Sequence, residues 1–422
     1  MRLLMAACAA FLLFLNCAPA RAELLLSLDD AYQSVINAHP SVEVSRLSAE
    51  GLRAERDVSA LKPALTLATE LENAFGSGAA AALGGAEITV SLASVIEREE
   101  KRSARTAVVD ERIGELDAQI AAQLLDIHAE TARSYLTALA AKSELAIAQR
   151  ALTQAEVLVK ATKQRSDSGA SPRSSHLVAQ AAAVRAEGEM LRREQLVSAA
   201  KRRLAALWGD PLAQFALPDM ALRMPAESPG YEQLQALLAR NPKLTQFANR
   251  HRLQQAQLRL AQSERLYDLH WELGIRRLQS EDDWGLVGSL SLPLGTRARA
   301  LPKVRMAEAA VASVSAQRES TLRELEVTLI GAWGELNAAK AEFAHSRDRL
   351  LPALAKATES AQRYYRAGAG AFVDWQRLQI EQVAAEREQL RTVLRAQRAL
   401  LEIQRLTGES FAVIEPTDGA AQ

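Results

Sequence analysis

The carboxylates Glu70, Glu72 and Glu87, and the aspartate Asp374, are the groups best placed to do chemistry, and that chemistry is the attraction of cations. Glu70 and Glu72 stand two residues apart, and Glu87 opens a second segment with the same alternation. A strand would therefore aim them at one polar face. A polar face is also simply solvated, so a cation-tolerant passage and plain hydration both fit. Asp374 follows the turn Ala367-Gly-Ala-Gly-Ala371, where an aspartate can cap a helix by accepting from backbone N–H groups two or three residues on. Nothing points to catalysis. His39, His128, His176, His251, His270 and His345 are scattered without paired ligand spacing, and phosphate loops and nucleophile elbows are absent. His176 reads as a solvated helix histidine. No cofactor and no metal site are expected.

The elements that must position these residues occur twice. Asn37-Ala-His-Pro40 is answered by Arg240-Asn-Pro242, Ser168-Gly-Ala-Ser-Pro172 by Ala367-Gly-Ala-Gly-Ala371, and Leu204-Ala-Ala-Leu-Trp-Gly209 by Ile403-Gln-Arg-Leu-Thr-Gly408. An offset of roughly 200 residues marks a doubled large unit rather than a solenoid repeat. The first unit covers 23–220 and the second 221–408, followed by a tail at 409–422. Each holds a segment whose hydrophobic period changes from 3.6 to 2. Leu65, Leu67 and Leu71 oppose Thr66, Glu70 and Glu72, and Ile88, Val90 and Leu92 oppose Glu87, Thr89 and Ser91. In the second unit Trp271, Leu273 and Ile275 oppose His270, Glu272 and Arg276, while Leu286, Leu290 and Leu292 oppose Ser289 and Ser291. These predict β-hairpins over about 64–93 and 270–293, with a small, flexible connector from Gly76 to Gly85 in the first.

Each unit then continues into a long helical hairpin, about 97–208 and 303–406. No proline separates Pro63 from Pro172, and the run from Glu97 to Arg165 would span about 100 Å at 1.5 Å per residue if unbroken. Such a helix must lie along others in an extended coil, or be broken. The tips fall near 166–172 and 367–371, where Gly169 can adopt the left-handed conformation and Pro172 can start a helix. The second hairpin is read as a helix from Lys303 that meets Pro352, continues to Arg366 and returns from Asp374 to Leu406. Alanine makes up roughly a fifth of the chain, which suits closely packed helices.

Residues 1–22 read as a secretory signal: Arg2, an apolar run from Leu3 to Leu15, and Ala20-Arg21-Ala22 for cleavage. Cys17 offers lipidation as an alternative, although Asn16 suits a lipobox poorly. Cleavage after Ala22 would remove Cys8 and Cys17, and with Arg2 and Arg21 gone the 51 basic residues become 49 against 51 acidic ones. A near-neutral chain is not built for nucleic acid. Four strands cannot close a transmembrane barrel, for which about eight is the minimum. If they sit in lipid every backbone group must still pair, so the chain must oligomerise, and three copies would supply twelve.

This order of elements resembles the TolC family of outer-membrane efflux proteins over about Leu28 to Gly408. Leu28-Asp-Asp-Ala31 with Asn37-Ala-His-Pro40 is similar to the family's opening helix and turn. Arg363-Tyr-Tyr-Arg-Ala-Gly-Ala-Gly-Ala-Phe-Val-Asp374 looks like its second tip, and Leu350-Leu-Pro352 like the break in its third long helix. Glu70-Leu-Glu-Asn73 before Gly76-Ser-Gly78 resembles the heavy-metal, CzcC/CusC-like branch. Glu99 and Glu100 depart from that branch by standing where it carries glycines.

The resemblance implies a mainly α fold with a small β part, assembled as a homotrimer. A twelve-stranded barrel in the outer membrane of a Gram-negative bacterium would be continued by an α-helical tunnel. The tunnel would dock on a periplasmic adaptor, and through it on an inner-membrane pump of the RND type, with metal cations among the cargoes. It further implies Asp374 as an anionic ring at the tunnel entrance, and Gly169, Ala170, Ser171, Gly368, Ala369 and Gly370 as adaptor-docking tips. Glu70, Glu72 and Glu87 would face the lumen. Lys101, Arg102 and Arg105 would lie where barrel meets tunnel, near lipid headgroups or simply solvated. Alternatives are the outer-membrane component of a type I secretion system and, from another class, a soluble periplasmic coiled-coil adaptor.

Overall fold

A computed structural model describes residues 25–219, 222–225 and 230–408. The signal segment and the tail lie outside these residues. Ser27 opens helix α1 (Leu28–Ala38) through a reciprocal capping box: Ser27 Oγ accepts from the Asp30 N–H at 3.1 Å, and Asp30 accepts from the Ser27 N–H at 3.2 Å. The Ser27 hydroxyl, which donates to the Asp30 carboxylate at 2.6 Å, and then the Ser27 N–H hold that carboxyl below the ordinary aspartate range. Pro40 then starts α2 (Pro40–Ala60), its fixed φ suiting the first helical position. The second unit repeats the device with α5 (Tyr231–Leu238) and α6 (Pro242–Ser263). There Asn241 Oδ1 accepts from the Lys243 N–H at 2.8 Å, and Asn241 Nδ2 donates to the Leu406 carbonyl at 2.7 Å. The turn that begins one hairpin unit is thereby tied to the end of the last helix.

Strands β1 (Thr66–Glu72), β2 (Glu87–Ile96), β3 (Leu269–Leu278) and β4 (Asp283–Ser291) form one antiparallel sheet in chain order. The two hairpins meet through β2 and β3, with Leu92 opposite Leu273 and Thr89 opposite Arg276. The connector between β1 and β2 folds back on itself. The Phe75 N–H donates to Ala82 O at 2.7 Å and the Gly76 N–H to Ala80 O at 2.8 Å, around a 3₁₀ turn at Gly78–Ala80.

Helix α3 (Glu99–Asp167) is continuous over 69 residues, and α4 (Arg173–Ala206) returns along it. Its apolar stripe drifts because its partners change with height: α2 and α6 near the sheet, α1 and α9 at mid-length, α4 towards the tip. Tyr135 marks the middle. It is buried, donates to the Leu26 carbonyl at 2.9 Å, and burial pushes its phenol up to about 12. Around it pack Leu139, Leu204 and Phe215, and the second unit answers with Leu234, Leu329, Leu336 and Leu406.

Helix α7 (Thr296–His345) begins seven residues before the expected Lys303, after Gly295 at φ +79°. It carries Pro302 near its start, where few intrahelical donors are lost. The break ahead of α8 (Leu351–Arg366) is a π turn over Ser346–Leu350, the wide backbone that accommodates a proline unable to donate to the turn before it. Helix α9 (Phe372–Thr407) completes the chain. No described helix is long and apolar enough to cross a membrane.

Candidate functional site: a sheet turned inside out and a paired helical tip

Alternation sorts the sheet into two faces, and their exposure inverts that of an ordinary half-buried sheet. The apolar row is open, with Leu67 71%, Leu286 83% and Leu290 72% exposed, while Thr89 and Ser91 on the polar face are each 4% exposed. Trp271 lies near the helical end of the sheet and Trp284 at the far end, where the Arg277 guanidinium lies 5.5 Å from its ring centroid. An apolar outer band with aromatic residues towards both ends is what lipid-facing strands require.

Glu70, Glu72 and Glu87 share the polar face, but not as three unpaired acids. Arg276 reaches across from β3 to Glu87 at 2.9 Å, Glu72 at 3.1 Å and Thr89 Oγ1 at 2.9 Å, and Asn73 Nδ2 donates to Glu87 at 2.9 Å. Glu70 alone of the three has no ion-pair partner among the described residues. The sequence places Arg276 on this face. It does not reveal the pairing, because the partners lie 187 and 189 residues away and the register between hairpins has to be known. Arg276→Gln frees two carboxylates per chain, so the expected result is a rise in cation over anion permeability of reconstituted channels. That rise should shrink between 0.01 M and 1 M salt as the screening length falls from about 30 Å to about 3 Å.

At the other end the two tips pack side by side. Arg165, in the last turn of α3, donates to the Tyr365 carbonyl and, at 3.1 Å, to the Ala170 carbonyl, with its guanidinium carbon 5.0 Å from the Tyr365 ring centroid. These residues are 200 apart, the repeat offset itself, so the duplication places equivalent helix ends in contact. Trp375 and Tyr365 are buried there with Phe372, Leu158 and Ala179. Sequence reasoning missed Arg165, Tyr365 and Trp375, although the offset could have pointed to the first pair.

Gly169 at φ +72° and Gly368 at φ +90° take the left-handed conformation that ends each helix, and Ala170, Ser171 and Ala369 sit on the turns beside them. Gly370 has a different reason. A Cβ there would lie 2.9 Å from the Tyr365 backbone nitrogen, so the glycine answers to its own chain. His176 is half-buried, with Nδ1 3.3 Å from Thr162 Oγ1, and links α4 to α3 rather than standing in solvent.

Asp374 is exposed, but it is the third residue of α9, behind an N-cap position filled by Ala371, and no side-chain cap forms. The capping role expected for it is therefore absent. Its carboxylate still complements the positive end of the helix dipole. Ser175 occupies the corresponding place in the first unit, where Arg173 begins α4.

The basic residues after β2 are engaged within the chain. Lys101 pairs with Asp268 at 2.5 Å, Arg102 with Glu99 at 2.8 Å, and Arg105 with Glu97 at 2.5 Å and the Ser59 carbonyl at 3.1 Å. Lys101 and Arg105 tie α3 to the segments flanking the strands, whereas the Arg102–Glu99 pair lies within α3.

Residues 233–409 match the family model described as outer membrane efflux protein. The match covers most of the second unit, and the likeness in fold extends over both units. VceC, an outer membrane protein of Vibrio cholerae, is 18% identical, with 91% of this chain and 96% of that one aligned at a TM-score of 0.74. The MtrE outer membrane channel of Neisseria gonorrhoeae, in its open state, is 16% identical over 91% and 89%, with a TM-score of 0.72. CusC is 13% identical over 92% and 93%, with a TM-score of 0.75. The chain has the fold of these outer-membrane proteins, and CusC, slightly higher in TM-score but lower in identity, does not stand apart from the others, so the fold expresses no preference for the metal branch. No curated protein sequence matches the chain.

Proposed function

We propose that three copies of this chain form the outer-membrane exit duct of a tripartite efflux system. The observation that carries the reading is the inverted sheet. Its open face offers Leu67, Leu273, Leu286 and Leu290, its polar face shelters Thr89 and Ser91, and β1 and β4 remain as free edges. Lipid tolerates no unpaired strand edge, so the edges must close on further copies, and three give twelve strands. A soluble adaptor has no use for such a face.

Helix α3, about 100 Å long, then carries the duct away from the membrane to the paired tips, where the adaptor of an RND-type pump docks. Cargo is set by that pump. Purified protein should run as a trimer in detergent and conduct ions in planar bilayers. A chain recovered as a soluble periplasmic monomer would overturn the reading.

Two parts of the duct are open to separate tests. With no capping bond to lose, Asp374→Asn should leave the fold intact and lower cation preference several-fold at low salt, the effect fading at 1 M salt. Unchanged selectivity at low salt removes Asp374 as an entrance group. Docking is read at Ala170, Ser171 and Ala369, since Gly370 is constrained by its own turn. Ala170→Trp with Ala369→Trp should abolish export while conductance and trimers persist, and normal export would place docking elsewhere.

A further inference from the structure

A groove of about 1410 Å³ lies at the foot of the sheet, between the start of α3, the end of α6 and the segment from β4 into α7. The outward rows of three strands lead towards it, the strands themselves ending at Ile96, Leu269 and Ser291. The outward row of β3, Ile275, Leu273 and Trp271, continues in steps of two to Tyr267. That of β4, Leu286 and Leu290, continues to Leu292 and Leu294, and that of β2, Val90 and Leu92, continues to Ile96 and Arg98. Tyr267, Leu292 and Leu294 line the groove, Leu294 being 83% exposed, and Arg98 lies 5.3 Å from the centroid of the Tyr267 ring. The Lys101–Asp268 pair lines an adjoining pocket that shares Leu266, Pro293 and Thr296 with the groove.

Below this apolar floor the groove is cationic. Arg259, Arg265 and Arg297 line it against a single carboxylate, Glu100, and all three are exposed with no carboxylate partner among the described residues. Nearby Lys101, Arg102, Arg105 and Lys303 are ion-paired, whereas Arg98, over the Tyr267 ring, and Arg299 add to the cations without a carboxylate partner among the described residues. Unpaired arginines one step beyond a lipid-facing row, beside an interfacial tyrosine, match a phosphate at the headgroup level.

We infer that this groove binds one anionic diacyl phospholipid of the leaflet on the helical side of the membrane. Its phosphate sits among Arg259, Arg265 and Arg297, and its acyl chains run over Leu294 and Leu292 onto the outward face of β4. The inference rests on the barrel reading. Charge complementarity and continuity with the lipid-facing row select this occupant over a neighbouring subunit.

Native mass spectrometry of the full-length protein in neutral detergent, titrated with phosphatidylglycerol or phosphatidylcholine, tests it. Three arginines near a headgroup imply a phosphatidylglycerol preference of roughly tenfold or more. Arg259→Gln, Arg265→Gln and Arg297→Gln together should abolish the preference, and the corresponding triple lysine variant should keep most of it. Equal retention of both lipids by the unaltered protein overturns the proposal. So does displacement of bound lipid by millimolar inorganic phosphate, which would mark a free-anion site. Dissociation of trimers of the glutamine variant, with the lysine variant intact, would assign the arginines to a subunit contact and also overturn it. Insertion into pure phosphatidylcholine vesicles keeps the two readings apart. Protein that inserts there without lipid preference loses only this inference, whereas protein that inserts into no vesicle loses the barrel itself.

Discussion

Leu273→Arg is expected to eliminate the proposed outer-membrane trimer. Leu273 lies in the middle of β3, opposite Leu92 and Gly288, and its side chain is 57% exposed on the apolar face. In water, replacing so exposed a leucine by arginine changes stability by about 0.5 kcal/mol or less. Near the middle of a bilayer the same change costs about 2–4 kcal/mol. Three copies per barrel would lose about 6–12 kcal/mol, comparable to the whole stability of a typical folded domain. Heat-resistant trimers in outer-membrane fractions report the outcome directly. Glu272→Gln, one residue away on the polar face, is the matched control and should assemble normally. Normal assembly of the leucine variant would mean that this face does not meet lipid.

The second large effect is expected at the opposite end. Trp375→Ala removes a fully buried side chain that packs with Tyr365, Phe372, Leu158 and Ala179, at a cost of about 3–5 kcal/mol for a large aromatic. That cluster ties the tip of α8 and α9 to the tip of α3 and α4. Its loss should expose both tips to protease and stop export, while leaving trimers intact because the sheet lies at the far end of α3. Trp375→Phe separates packing from hydrogen bonding. The indole N–H has no partner among the described residues, so phenylalanine loses no bond there and should retain most tip protection. A protease pattern unchanged by alanine would show that the tips do not depend on this cluster.

Properties set by one segment of chain were legible in the sequence. The alternation of Leu286, Leu290 and Leu292 against Ser289 and Ser291 marked a strand, and Gly169 with Pro172 marked a helix stop. What depended on register or on distant partners was not legible. The Arg276 bridge to Glu72 and Glu87 requires the pairing of β2 with β3, which alternation within either hairpin leaves free. Asp374 looked like a cap because it follows a turn, but α9 begins two residues earlier, at Phe372, and moves it inside the first turn. The break at Leu350-Leu-Pro352 was visible as a proline. Its form, a π turn laid down before the proline rather than a stop at it, follows from keeping the helix packed on both sides.

In the proposed duct the free edges β1 and β4 close on neighbouring copies in a ring of three. Oxidative cross-linking measures this most directly, in a background with Cys8 and Cys17 replaced. Leu67→Cys on β1 is combined in turn with Leu286→Cys, Gly288→Cys and Leu290→Cys on β4. At least one pair should give covalent dimers and trimers with nothing larger, because a closed ring of three has no further edge. Failure of every pair to link, or a ladder that continues past three, would contradict it.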